Sequence, residues 1–255
     1  MRITKFKMRD YIMKEKVGDL LSTFIKSTPE QILPDFIINY MDKIALASSL
    51  GPEDQVLTDM ILKINPNARI FMIDTGRLNQ ETYDVAVETM KRYSMHYEIY
   101  FPKNIDVEVM ENLYGPNLFY DSIEMRKYCC QIRKIEPFKR ALKNHDVWIT
   151  GLRREQAVTR INIDKIEWDD TNKLIKLNPL TEWTADMIWN YIKEHKVPYN
   201  KLHDMNYPSI GCAPCTRAVK NGENIRSGRW WWEAPEHKEC GLHNHNENDI
   251  WRNQQ

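Results

Sequence analysis

No stretch of the 255 residues is long and apolar enough to span a bilayer, and the opening Met1-Arg2-Ile3-Thr4-Lys5 lacks the continuous apolar core of a secretory leader. Charge of one sign is also missing. Thirty-six basic residues balance thirty-six acidic ones, which removes any bulk attraction to nucleic acid or a membrane surface while leaving room for a local site for a small anion. These absences point to a cytoplasmic protein with neither a membrane nor a nucleic-acid partner. In that compartment the five cysteines are better read as metal ligands or catalysts than as disulfides. The length suits one large domain or two small ones.

The cysteines divide unevenly. Cys129 adjoins Cys130, Cys212 and Cys215 form a Cys-x-x-Cys, and Cys240 stands alone. Two pairs suggest a four-thiolate site, and the remaining thiol suggests a nucleophile. Neighbouring helical residues diverge by about 100°, so Cys129 and Cys130 serve one centre only if that centre is large or the backbone is bent. A cuboidal iron–sulfur cluster meets that condition better than one zinc ion, with zinc and unliganded thiols as the alternatives. Around Cys240, His237, Lys238 and His243 would favour the thiolate; the alternative is an inert leftover thiol.

Along the chain, residues 11–25 and 29–41 read as amphipathic helices, with Pro29 suited to a first turn. Ile44-Ala45-Leu46-Ala47 has the character of a buried parallel strand. A polar turn, Ser48 to Asp54, and a helix with Val56, Leu57, Met60, Ile61 and Ile64 on one face follow it. Such a strand–turn–helix unit aims free N–H groups and the positive helix end at the turn. A second unit has strand 69–73, the turn Asp74-Thr75-Gly76-Arg77 and a helix over 81–93. Strands at 97–100 and 147–150 follow, the latter running into Gly151-Leu152-Arg153-Arg154. The alternation predicts an α/β fold with a doubly wound, mainly parallel sheet, whose polar turns gather beyond the strand ends. Thr184 caps a helix over 185–195, read as a scaffold for the Cys212/Cys215 loop. Trp230-Trp231-Trp232 reads as core or interface anchorage, while Arg226 and Arg229 offer guanidinium forks for phosphate or sulfate.

Together these residues resemble the assimilatory sulfonucleotide reductases of the adenylylsulfate type, the iron–sulfur branch of the APS/PAPS reductase family. The likeness runs from about Lys43 to His243. It is carried by Ser49-Leu50-Gly51-Pro52-Glu53-Asp54, Asp74-Thr75-Gly76-Arg77, Cys129-Cys130 with Lys134, Gly151-Leu152-Arg153-Arg154, Cys212-x-x-Cys215, Gly228-Arg229-Trp230-Trp231-Trp232-Glu233 and Glu239-Cys240-Gly241-Leu242-His243.

The resemblance implies a fold of the adenine-nucleotide alpha-hydrolase-like (PP-loop) type with a mobile C-terminal catalytic segment. Its expected parts are a helical extension over 1–42, a nucleotide-binding α/β domain over 43–227 that carries the iron–sulfur site, and a segment over 228–255 that bears the nucleophile. It further implies one 4Fe–4S cluster on Cys129, Cys130, Cys212 and Cys215, with Cys240 attacking the sulfur of adenylylsulfate and thioredoxin releasing sulfite. Lys134, Arg226, Arg229 and His243 would stabilise the developing charge. Ser49, Gly51, Glu53, Asp54, Thr75, Gly76, Arg77, Gly151, Arg153, Arg154 and Arg160 would hold the nucleotide. A homo-oligomer is expected.

The chain departs from the Ser-Gly-Gly-x-Asp-Ser loop of ATP pyrophosphatases: Leu50 replaces a glycine and Pro52 has no N–H to donate, which argues against ATP cleavage. A 3′-phosphorylated or dual substrate is one alternative reading. The others are tRNA thiolation, which needs an intact pyrophosphatase loop and a basic surface, and a zinc-stabilised module in which Cys240 is incidental.

Overall fold

Val147-Trp148-Ile149 offers water no polar side chain on either face, and the computed structural model, which describes residues 5–156 and 160–234, buries it as an inner strand of a six-stranded sheet. The strands are β1 (Ile44–Ser48), β2 (Arg69–Ile73), β3 (Glu98–Tyr100), β4 (Val147–Ile149), β5 (Ile166–Asp169) and β6 (Leu174–Leu177), ordered β3-β2-β1-β4-β6-β5. β1 pairs in parallel with β2 and β4, β4 pairs in parallel with β6, and β5 closes the edge antiparallel to β6. The predicted mainly parallel α/β sheet is therefore present. From β1 the chain moves outward to β2 and β3, then returns to lay β4 on the other flank of β1. Such a reversal is where an open sheet leaves a crevice beyond its strand ends.

Eight helices are described: α1 (Lys5–Phe24), α2 (Pro29–Tyr40), α3 (Pro52–Ile64), α4 (Gln80–Tyr93), α5 (Asn104–Tyr114), α6 (Ile123–Cys130), α7 (Glu136–Leu142) and α8 (Ala185–His195). Among the described residues no helix is long and apolar enough to cross a membrane. The residues fall into two compact units, one drawn from 5–72, 80–99, 141–156 and 160–201, the other from 73–79, 100–140 and 202–234.

In the first unit, α3 turns Val56, Leu57 and Ile61 into the core, each at most 1% exposed. Polar groups that go in with them are satisfied. The Gln55 amide donates to Thr89 Oγ1 at 2.6 Å and to the Pro198 carbonyl at 2.9 Å, and accepts from the Tyr97 hydroxyl at 3.2 Å. One turn on, Asp59 accepts from Tyr93 at 2.9 Å and Tyr191 at 2.7 Å, with Lys63 Nζ at 2.7 Å. Through Tyr191, α8 joins α3, while the Cys212/Cys215 loop is built within the other unit. The N-terminal helices belong to the first unit. Arg9 donates to the His145 carbonyl at 3.1 Å and pairs with Asp146, and Lys165 caps the carbonyls of Ile25 and Ser27 at 2.9 and 2.6 Å.

The β5–β6 hairpin was not evident from the sequence, because each strand places a charge where periodicity asks for an apolar residue. The register resolves this: Glu167 faces Lys176 across the pair, and the buried ammonium lies 3.2 Å from Glu167 Oε2 and 5.8 Å from the Trp148 ring centroid.

In the second unit, α6 begins at Ser122, whose hydroxyl accepts from the Met125 amide, and runs through a π-helical turn over Gln131–Ile135 into α7. The widened turn directly follows Cys129 and Cys130. Met110, Leu118, Phe119, Cys129, Cys215 and Trp230 form this unit's buried apolar cluster.

Burial alone would raise the Asp59 carboxyl, but hydrogen bonds from Lys63, Tyr191 and Tyr93 outweigh it and hold the group below the usual carboxylate range. Its stabilisation is therefore present at neutral pH and disappears as pH falls through the folded-state value. Asp59→Asn is expected to cost about 1–3 kcal/mol in urea unfolding at pH 7 and much less in acid. An equal loss at both pH values would contradict this account.

Candidate functional site

The turns after β1 and β4 meet in the first unit. Leu50 adopts a positive φ of 60° with its side chain buried, and Gly51 caps α3 ahead of Pro52. Asp54, in the first turn of α3, points back into the loop: the Ser49 amide and hydroxyl both donate to its Oδ2, at 2.7 and 2.6 Å. The Gly151 amide also bonds Asp54. A Cβ on Gly151 would overlap Asp54 Oδ1 and stand 2.8 Å from Glu53 Cβ, so only glycine admits this approach. Burial, with Glu53 nearby, pushes the Asp54 carboxyl up to about 6 against the opposing hydrogen bonds from Ser49 and Gly151. The turn thus spends the Ser49 N–H on its own carboxylate.

The arginines after β4 are also engaged. Buried Arg153 donates to Glu53 Oε1 at 2.9 Å, to Glu155 Oε2 at 2.9 Å and to the Trp183 carbonyl at 3.1 Å. Arg154 bonds the Ile163 carbonyl at 3.0 Å and pairs with Glu182, keeping a partly exposed side chain. Arg160 donates to Gln156. Among the expected nucleotide residues, Ser49, Gly51, Glu53, Asp54, Gly151 and Arg153 are brought together here.

Thr75, Gly76 and Arg77 belong to the second unit and stand with the cysteines. The Asp74 carboxylate accepts from the Gly76 amide at 2.8 Å, and Gly76 takes the positive φ of 72° that the turn requires. Thr75 Oγ1 lies 3.2 Å from Cys212 Sγ, and the Ala213 amide donates to the Arg77 carbonyl at 2.8 Å, tying the turn to the Cys-x-x-Cys loop. The Arg77 side chain bonds the Pro116 carbonyl and Asn117, 5.2 Å from the Phe119 ring centroid.

Cys129, Cys212 and Cys215 share one apolar cluster, and Cys130 follows at the end of α6, half-buried. All four are free thiols. Burial pushes Cys129 up to about 11 and Cys215 up to about 12. The neighbouring cysteines raise both further, while Arg133 and Arg77 oppose the shift at Cys129, and Arg229 and Arg126 at Cys215. The charges of four guanidinium groups are therefore felt at these two sulfurs. Among the described residues, no group of three or more His, Cys, Asp or Glu side chains is arranged to hold a metal ion.

Two of those arginines escaped the sequence reading. Arg126 and Arg133 lie three residues before and four after Cys129, a helical spacing that offered the signal. Buried Arg133 donates to the Thr75 carbonyl at 2.8 Å and pairs with Glu111. Arg126 forms a two-pronged pair with Glu233 at 2.9 and 2.8 Å. Of the expected charge-stabilising residues, Arg229 fills the space that Gly211 leaves by lacking a side chain and donates to the Ile210 carbonyl at 3.1 Å. Lys134 sits half-buried in the π-helical turn, and Arg226 is half-buried ahead of Arg229. Cys240 and His243 lie outside the described residues.

The family described as the phosphoadenosine phosphosulfate reductase domain matches residues 43–218. Adenosine 5′-phosphosulfate reductase of Allochromatium vinosum is 50% identical over 203 residues, covering 80% of this chain and 79% of that one. The protein of the same name from Burkholderia cepacia is 47% identical over 202 residues, covering 79% and 81%. Among solved structures, the phosphoadenylyl-sulfate reductase from Candida auris, in complex with phosphate, has a TM-score of 0.69 at 26% identity and covers 86% of this chain and 99% of that one. Yeast FAD synthetase, at 16% identity and a TM-score of 0.53, shares the fold; the coverage is 84% and 78%. The chain belongs to the phosphoadenosine phosphosulfate reductase family, enzymes that are oxidoreductases acting on sulfur.

Proposed function

We propose that this enzyme reduces adenylylsulfate to sulfite and AMP through a thiosulfonate on Cys240, with thioredoxin as electron donor, in cytoplasmic sulfate assimilation toward cysteine. The observation that carries the reading is the convergence of Cys129 with Cys212 and Cys215, from motifs far apart in sequence, in a chain whose relatives at 47–50% identity are named adenosine 5′-phosphosulfate reductases.

The four thiols fit a 4Fe–4S cluster by donor chemistry. Unpaired thiolates are disfavoured where Cys129 and Cys215 are buried, metal binding would displace their protons, and the guanidinium charges that act on these two sulfurs would offset part of the negative charge of a tetrathiolate centre. Such a cluster would supply local charge and a rigid frame rather than electrons. Proton and electron transfer fall to the chain's own thiol and its reductant. The Cys240 thiolate attacks the sulfur of the substrate's sulfate group, forming an S–S bond. The S–O bond to the phosphate breaks, and its electron pair leaves on AMP. A thiolate of thioredoxin then attacks Cys240 Sγ, expelling sulfite with the S–S electron pair. The second thiol of the donor closes its disulfide and frees Cys240.

Lys134, Arg226, Arg229 and His243 are the proposed stabilisers of the anionic groups, and Thr75, Gly76 and Arg77 their neighbours at the phosphate. Ser49, Gly51, Glu53, Asp54, Gly151, Arg153, Arg154 and Arg160 are assigned to the nucleotide. A homo-oligomer is part of the reading, supported by exposed Tyr11 and Ile12 on α1 and Ile38 on α2.

Anaerobic mixing with adenylylsulfate, without reductant, is expected to add one SO3 group at Cys240 by mass spectrometry, removable by thioredoxin and absent in Cys240→Ser. No adduct in protein with a full cluster would overturn the reading, and faster reaction of the 3′-phosphorylated nucleotide would reassign the substrate. Cys129→Ser is expected to lose most of its iron and sulfide on elemental analysis; full retention would remove Cys129 from the ligand set.

Asp54 gives a pH signature. An acid whose folded-state value is raised to about 6 binds its proton more tightly when folded, so its ionisation costs stability as pH rises past the unfolded value. The stability difference between wild type and Asp54→Asn is therefore expected to shift in favour of wild type as pH falls from about 7 to about 5. A difference constant across that window would show that burial does not control Asp54.

A further inference from the structure

Arg226 and Arg229, both proposed to stabilise the anionic groups, are the two ends of one turn: the Arg229 amide donates to the Arg226 carbonyl at 3.0 Å. They are secured very differently. Arg229 belongs to a short antiparallel ladder with the chain that follows Cys215. It bridges Thr216, with the Arg217 amide donating to the Gly228 carbonyl at 3.0 Å and the Trp230 amide to the Cys215 carbonyl at 3.2 Å. Gly228 permits this closeness, since a Cβ there would stand 2.4 Å from the Arg217 carbonyl oxygen. Arg226 lies beyond the ladder, on the loop 218–227 that links its two sides.

That loop is gathered on one carboxylate. Glu223 accepts from Arg217 Nη1 at 3.0 Å and Nη2 at 3.2 Å, from the Lys220 amide at 3.0 Å and from the Ser227 hydroxyl at 3.3 Å. These donors, Arg217 foremost, hold its carboxyl down at about 2, so it is ionised throughout the neutral range. Its partners stand at both ends of the loop, with Ser227 adjoining Arg226. Asn224, next to Glu223, receives the Arg226 amide on its Oδ1 at 2.9 Å. An ion pair about a third exposed adds little to stability. What a carboxylate with several directed donors does supply is geometry.

We propose that Glu223 is a positioning residue for the reaction: by gathering the 218–227 loop it places Arg226 for the anionic end of the substrate, while Arg229 keeps its place without it. The inference rests on the reading of Arg226 as a charge-stabilising residue. The sign of the effect separates placement from field. Glu223 is an anion three residues from Arg226, so removing its charge alone would favour an anionic substrate. A slower reaction therefore reports lost placement.

The test measures initial rates of sulfite release from adenylylsulfate with thioredoxin in wild type, Glu223→Gln, Arg226→Ala and the double variant. Iron content and inhibition by adenosine, which carries no anionic group, are measured in parallel. kcat/KM is expected to fall about tenfold in Glu223→Gln and about 100-fold in Arg226→Ala. The double variant should match Arg226→Ala within about twofold, because a residue that acts through Arg226 has nothing further to lose. Adenosine inhibition should stay within about twofold of wild type, with iron retained. A Glu223→Gln rate within about threefold of wild type would overturn the positioning role. So would a further tenfold loss in the double variant, or adenosine inhibition and iron falling in step with the rate, which marks general loosening. Should Glu223→Gln fail to fold, Arg217→Lys, which keeps the charge but loses the fork, decides by the same criteria at an expected loss of about fivefold. A wild type that releases no sulfite from adenylylsulfate sinks the proposed function. An unslowed Arg226→Ala sinks the assignment of Arg226 and the positioning role with it, whereas a slowed Arg226→Ala beside an unslowed Glu223→Gln sinks the positioning role alone.

Discussion

Three register pairs, Ile44 with Val147, Ala45 with Trp148 and Leu46 with Ile149, join β1 to β4 across the point where the chain reverses its direction of travel through the sheet. Every polar arrangement at the carboxyl ends of these strands follows from that pairing. Parallel neighbours in register release their loops side by side, and here the two loops come so close that Gly151 cannot carry a Cβ against Asp54 and Glu53. A carboxylate forced into such a space must find donors. The Ser49 amide and hydroxyl and the Gly151 amide are the groups within reach, so the turn closes on itself. Burial still wins over those bonds, as the raised value of Asp54 shows.

The second unit solves a different problem. Its cysteines lie in an apolar cluster that disfavours thiolates, and it answers with arginine, the one cation that burial does not readily neutralise. Each guanidinium is held by something specific: Arg133 by Thr75 and Glu111, Arg126 by Glu233, and Arg229 by the Ile210 carbonyl and the hollow at Gly211. Lysine could match the charge but not these planar, multidonor fits. The zero net charge of the chain therefore says little about its sites, because the fields that matter act within a few ångströms and are built from paired groups.

The same distinction explains what the sequence made legible. β1, β2 and β4, and helices α2, α4 and α8, could be read within a residue or two because continuous apolar runs and capped, periodic segments announce themselves locally; the Thr184 hydroxyl does accept from Met187 N–H as expected of a cap, while α3 starts at Pro52, inside the stretch expected to be a turn. The β5–β6 hairpin escaped because Lys176 and Glu167 satisfy each other only across the strand pair, a relation without a local signature. Ser49, Asp54, Thr75 and the cysteines could be singled out in the sequence because turn chemistry and thiol spacing are local. Arg126, and its pairing with the Glu233 of the tryptophan motif, were missed because 107 residues separate the two and only the folded chain shows either as half of a pair.

The widened turn after Cys130 joins the two kinds of information. Adjacent cysteines on an ideal helix diverge, and that geometric objection pointed either to a large centre or to a bent backbone. The chain supplies a helix that expands to π geometry over Gln131–Ile135, immediately beyond the thiols. A π turn sacrifices regular hydrogen bonding and so needs packing or side-chain contacts to hold it. Arg133, buried within the turn and bonded to the Thr75 carbonyl and Glu111, provides such contacts, and Ile132 adds an apolar one against the cysteine cluster. The distortion is therefore over-determined by its surroundings, as a locally unfavourable backbone must be if it is to persist.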